Sequence, residues 1–88
     1  MANPEHLEIL KRGVEEWNQW REAHPDITPD FSRANLAGAD LSRADFSWTG
    51  LSWADLSEAN LNVANFEGAE LFEANLESTN LIVATSKG

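Results

Sequence analysis

The chain has 88 residues, enough for one small domain and too few for a second core. Fifteen acidic residues against six basic ones give a formal charge of −9, which argues against ordinary nucleic-acid binding, where basic groups must neutralise phosphate. With no cysteine there is neither a disulfide framework nor a Cys-based metal site, and no apolar run reaches the length of a membrane span.

Residues 3 to about 23 read as one amphipathic helix. Asn3 suits the N-cap and Pro4 the first helical position, with Glu5 and Glu8 near the positive helix end. At 100° per residue Leu7, Leu10, Val14, Trp17 and Trp20 fall on one face, with Ile9 and Gly13 beside them. Glu5, Glu8, Lys11, Arg12, Glu15, Glu16, Asn18, Gln19 and Glu22 take the other. A stripe with two tryptophans suits a lid over the structure that follows. It suits a membrane surface poorly, because the acidic polar face would be repelled by anionic lipid. The segment His24-Pro25-Asp26-Ile27-Thr28-Pro29 is a short connector, held extended by its two prolines.

From Phe31 onward one apolar residue recurs every five positions: Phe31, Leu36, Leu41, Phe46, Leu51, Leu56, Leu61, Phe66, Leu71, Leu76 and Leu81. Two places earlier the residue is usually Ala, and one place earlier usually Asp or Asn. On a helix this beat would scatter leucine around the cylinder, and on a strand it would send successive side chains to opposite faces. A fixed period of this kind points to a solenoid whose turns bury their apolar residues against each other.

The run Ala-Asn-Leu-Ala-Gly, Ala-Asp-Leu-Ser-Arg, Ala-Asp-Phe-Ser-Trp over residues 34 to 48 resembles the pentapeptide-repeat family, whose signature is A(D/N)LXX. The resemblance spans about residues 29 to 83, and Gly13 to Arg21 is similar to the helix preceding the repeats in many bacterial members. It implies an all-β solenoid, a right-handed quadrilateral β-helix with four units per coil. Here that makes about 2.75 coils, with an N-terminal helix capping one end. The eleven apolar residues and the small residues before them would point inward. The organisation expected is a capping helix and connector over 1–28, repeats over 29–85 and a tail over 86–88, all in one domain.

With four units per coil, positions twenty apart stack. Phe46 then stands over Phe66, Arg33 over Trp53 and Trp48 over Gly68. Trp48, Trp53, Phe72, Ile82 and Val83 take outward positions and form a candidate interaction surface, tryptophan being enriched at binding hot spots. The competing reading is that the two rings cover backbone or the N-terminal helix. Glu67, Glu70, Glu73 and Glu77 make the later repeats acidic: a solvated face, or a patch for a basic partner.

No catalytic arrangement is found. His6 and His24 lack suitably spaced carboxylates, the serines follow the repeat without a base, and the glycines form no phosphate-binding loop. The expectation is a non-enzymatic protein–protein interaction module with no cofactor or metal and an unknown partner. It should be cytoplasmic, since the N-terminus has no signal-peptide pattern. The family's quinolone-resistance members supply the alternative, an acidic DNA mimic that binds a type II topoisomerase. After Leu81 the rhythm fails and no second amphipathic helix follows, so an end-to-end homodimer through the C-terminal coil is also expected.

Overall fold

The computed structural model describes residues 2–81. Two helices open the chain, α1 over Pro4–Lys11 and α2 over Val14–Ala23, where the sequence predicts a single helix. Asn3 caps α1, its side chain accepting the Glu5 N–H at 2.8 Å. The break falls at Gly13, whose φ of 123° lies outside the helical range and is open chiefly to glycine. It lets both short helices lie on the same end of the repeats.

Each repeat is a turn closed on itself. The N–H of the small residue donates to the carbonyl of the preceding apolar one, as from Ala34 to Phe31 at 3.0 Å and from Ala54 to Leu51 at 3.0 Å. The Asp or Asn before the apolar residue accepts the N–H two places on, as Asp45 does from Ser47 at 3.0 Å and Asn65 from Glu67 at 2.9 Å. This Asx turn is the physical reason for the repeated Asp and Asn. The second residue after the apolar one takes positive φ throughout, including Arg33, Arg43, Trp48, Trp53, Glu58 and even the β-branched Val63 at 63°.

Successive turns carry the chain back to itself every twenty residues. Parallel bridges join Asp30 to Gly50, Asn35 to Asp55, Asp40 to Asn60 and Asp45 to Asn65, and continue down to Asn60 and Asn80. These are isolated bridges, and no continuous strand forms among the described residues, so the all-β expectation is met only in the pairing pattern. Hydrogen bonds from Phe31 to Gly50, Arg33 to Ser52 and, in return, Gly50 to Pro29 hold each turn against the next (2.7–3.0 Å). That ladder pins the unusual positive φ values.

Inside, Phe31, Leu41, Phe46, Leu51, Leu56, Leu61 and Phe66 are buried along with Ala34, Ala44, Ala54, Ala59, Ala64 and Ala69. Phe46 and Phe66 stack with centroids 5.7 Å apart, and Phe31 meets Phe46 edge-on at 5.9 Å. The remaining expected core residues are less enclosed: Leu36, Leu71 and Leu76 are half-buried, and Leu81 is 43% exposed because no described coil lies beyond it. Leu56→Ala is therefore expected to cost about 2–5 kcal/mol. Glu58→Ala, on the outside of the same unit, should stay within about 0.5 kcal/mol. Urea unfolding of both variants checks this, and equal effects would mean that inward and outward positions are misassigned.

The helices do more than cover apolar surface. At the first turns the ladder has no coil above it, and helix groups stand in for the missing partners. Asn3 N–H donates to the Asp30 carbonyl at 2.8 Å, and His6 Nδ1 accepts the Asp30 N–H at 3.1 Å. The Asn18 amide accepts from Asp45 N–H at 2.8 Å and donates to the Arg43 carbonyl at 2.9 Å. Trp17 Nε1 and Arg21 Nη1 both reach the Asp45 carbonyl at 2.9 Å, and Arg21 Nη2 reaches that of Ser47 at 2.8 Å. The backbone amides of Asn35 and Asp40 receive no such partner among the described residues. They border a cleft of about 250 Å³ between α1 and the repeats, lined by Leu7, Leu10, Leu36 and Ala39.

His6 makes this cap sensitive to acid. Its buried ring packs near Trp20 and Phe31, and only a neutral imidazole can accept at Nδ1. Burial lowers its pKa below 6.5, Glu5 and Asp30 pull it up, and Arg21 pushes it down further. Since the folded-state pKa lies below the unfolded one, its contribution is whole above the unfolded value. It is lost as pH falls from there through the folded value. Wild type should thus unfold at lower urea concentration at about pH 5.5 than at about pH 7.5. His6→Phe should flatten that difference, and a wild type equally stable at both pH values would refute a neutral, buried His6.

Candidate interaction surface

The turns at Ser47–Trp48 and Ser52–Trp53 bound one side of the coil, and each places a tryptophan at its positive-φ corner. Trp48 is 62% exposed and Trp53 49% exposed, so neither is folded under the helices. Trp48 lies across Gly68 one coil on. A Cβ at Gly68 would collide with the Trp48 ring, and its φ of 68° also favours glycine. The missing side chain is what lets the indole lie flat on the wall.

Trp53 has one neighbour from each adjacent coil. The Arg33 guanidinium sits 5.5 Å from its ring centroid, a cation–π contact worth about 0.5–1 kcal/mol at an exposed site. Phe72, 66% exposed, meets Trp53 edge-on with centroids 5.7 Å apart. Of the residues that the sequence singles out, the structure thus joins Trp53 and Phe72 in one cluster and puts Trp48 on the neighbouring corner. Ile82 and Val83 lie outside the described residues. The exposed Val63 is a further apolar corner residue, outside that candidate set.

Between the two tryptophan corners the outward position is Gly50, bridged to Asp30 above and Glu70 below. The Ser32 N–H, more than any other influence, holds the Asp30 carboxyl below the usual carboxylate range. The Asp55 carboxyl, on the next side, is likewise lowered, first by the Ser57 hydroxyl and then by its N–H. Both are anionic at neutral pH.

Among the helix residues expected to form the lid, Trp17 is fully buried and Leu10 buried, while Leu7, Val14 and Trp20 are half-buried. His6 and Arg21 are buried beside them, and Asn18, assigned by polarity to the solvent side, faces the repeats instead. The available signal was spacing: Arg21 follows Trp17 by four residues, and Asn18 follows Val14 by four, the same helix face in each case. A groove on the outer side of α1 and α2, about 540 Å³, is lined by Glu5, Glu8, Ile9, Arg12, Glu16 and Trp20 among others. No group of three His, Cys, Asp or Glu side chains among the described residues is arranged to hold a metal ion. Among the described residues no helix is long and apolar enough to cross a membrane.

Five-residue turns stacked at twenty-residue intervals, with outward residues displayed on a hydrogen-bonded wall, define a repeat protein. A family model described as pentapeptide repeats matches in eight copies over residues 30–49 and 51–82, and the chain belongs to that family. No curated protein matches the chain.

Proposed function

We propose that this chain is a non-enzymatic, cytoplasmic binding scaffold: a short right-handed quadrilateral β-helix, closed at one end by its helices, that presents an aromatic wall to a protein partner. The observation that carries the reading is the exposure of Trp48, Trp53 and Phe72 on backbone held by the ladder. Large aromatics that lose little conformational freedom on binding are typical interface anchors. Membership of a family composed largely of structural and interaction proteins supports the same reading.

The test is affinity capture from lysate of the source organism with wild type, the Trp48→Ala/Trp53→Ala double variant, and Glu58→Ala as a surface control. A discrete partner should be retained by wild type and by the control and be lost by the double variant while its circular dichroism is unchanged. Capture that ignores the tryptophans would overturn the assignment.

The exposed Leu81 and half-exposed Leu71 and Leu76 favour self-association of two copies through the C-terminal coil. Light scattering over a concentration series should show a dimer that Leu81→Lys disperses; wild type that stays monomeric at high micromolar concentration would rule it out. The DNA-mimic alternative gains no support from a chain measuring 31 × 26 × 25 Å. That is less than one DNA turn of ~34 Å. Arg33 and Arg43 also interrupt its acidic surface.

A further inference from the structure

Gly50 leaves a vacancy on the tryptophan-bounded side. A Cβ built there would have as its nearest neighbours Asp30 Oδ1 at 3.8 Å, the Pro29 carbonyl at 3.8 Å and Glu70 Oε1 at 3.9 Å. A side chain at position 50 would therefore stand in ordinary contact between the Asp30 and Glu70 carboxylates, beside the Pro29 carbonyl that accepts the Gly50 N–H. Among the described residues neither Asp30 nor Glu70 forms an ion pair, although Asp30 Oδ1 already accepts the Ser32 N–H at 2.9 Å and His6 also acts on that carboxylate. Arg33, the basic residue of this wall, is placed over the Trp53 ring.

We propose that this wall takes a basic segment of a protein partner, seating an arginine or lysine side chain over Gly50 between Asp30 and Glu70, with the segment's apolar residues resting on Trp48 on one side and on Trp53 with Phe72 on the other. The inference rests on the reading of this wall as a binding surface and names the chemistry of what it binds. Charge complementarity selects the occupant. The acids Asp30, Glu70 and Glu73 outnumber Arg33 on the wall, and the whole chain carries −9, so an anionic segment is repelled and a cationic one drawn in. A guanidinium, with donors fanned in a plane, spans the two carboxylates more readily than an ammonium does. The apolar rings on both flanks exclude water from the cation once the segment is seated, which strengthens its pairing.

The probe is an acetylated, amidated heptapeptide alternating leucine with arginine, compared with versions carrying lysine or glutamate in place of arginine. Each is titrated into the ¹⁵N-labelled full chain. The arginine peptide should shift the Gly50 amide and the indole N–H of Trp48 and Trp53, with lysine weaker and glutamate without effect. Gly50→Val, which fills the vacancy at a position with ordinary φ, should weaken binding about tenfold or more, and Glu70→Gln several-fold. Glu58→Gln, an exposed acid on the adjacent side, should leave affinity within about twofold. The spectrum of each variant reports its fold directly, and Gly50→Ser replaces Gly50→Val if the larger residue disturbs it.

Binding that survives both Gly50→Val and Glu70→Gln, or that drops equally with Glu58→Gln, would overturn the proposal, as would a glutamate peptide that binds as well as the arginine one. The two readings fail separately. If a captured partner depends on Trp48 and Trp53 but not on Gly50 and Glu70, the wall is a binding surface without a cation seat and only the present inference falls. If no partner depends on the tryptophans and no peptide shifts the wall, both fall.

Discussion

Trp17→Ala is expected to lower the unfolding free energy by about 3–5 kcal/mol, the range for emptying a large buried aromatic site. Trp17 is fully buried where helix meets repeats. Its ring stacks on Trp20 at 5.3 Å and meets Phe31 at 5.2 Å and Phe46 at 6.3 Å, and Phe46 in turn stacks on Phe66. One aromatic column thus runs from α2 into the second coil. Truncation leaves a cavity at its head and removes a donor from the Asp45 carbonyl. Trp17→Phe should recover much of the packing but not the hydrogen bond, costing about 1–2 kcal/mol. Urea unfolding gives both values. A loss below about 1 kcal/mol for alanine would show that the helices contribute little to the stability of the repeats.

Arg21→Leu is the second large expected effect, about 2–4 kcal/mol. The guanidinium is buried with donors committed to the carbonyls of Asp45 and Ser47 and to Thr49 Oγ1, while its Nε has no partner among the described residues. Burial lowers its pKa and the Asp45 carboxylate, 3.8 Å away, raises it. Removing the charge relieves desolvation, which limits the loss, but two carbonyls at the end of the ladder are left without charged donors. Arg21→Lys should recover less than half, because one ammonium cannot occupy both arms of the fork. A leucine variant as stable as wild type would mean that water replaces the guanidinium. Since Trp17 and Arg21 share the Asp45 carbonyl, the double variant should depart from the sum of the single effects by more than about 0.5 kcal/mol.

Much of the repeat region could be read from residue order alone. A unit of five residues carries its own turn: the Asx side chain caps the N–H two places on, and the apolar residue has one side to hide on. These interactions are local, so periodicity exposes them, and the twenty-residue columns follow once four units are taken to close a coil. The pairing of Phe46 with Phe66 and the Arg33–Trp53 contact are consequences of that register.

The ends and corners required tertiary structure. Gly13 within a helical stripe is compatible with an unbroken helix, and the break is settled by the need to lay both α1 and α2 on the first coil. Polarity assigns Asn18 to solvent and leaves His6 and Arg21 without a role. The top of a hydrogen-bonded ladder, however, demands polar donors and acceptors, and these three meet the unpaired backbone of Asp30, Arg43, Asp45 and Ser47. Positive φ at Trp48, Trp53 and Val63 is likewise foreign to those residue types, and at the two tryptophans it is held in place by bonds to the neighbouring coil, from Trp48 N–H to the Glu67 carbonyl and from Trp53 N–H to the Phe72 carbonyl. Local interactions thus specified the repeating unit. Where its hydrogen bonds ended, and which side chains completed them, depended on segments far apart in the chain meeting in space.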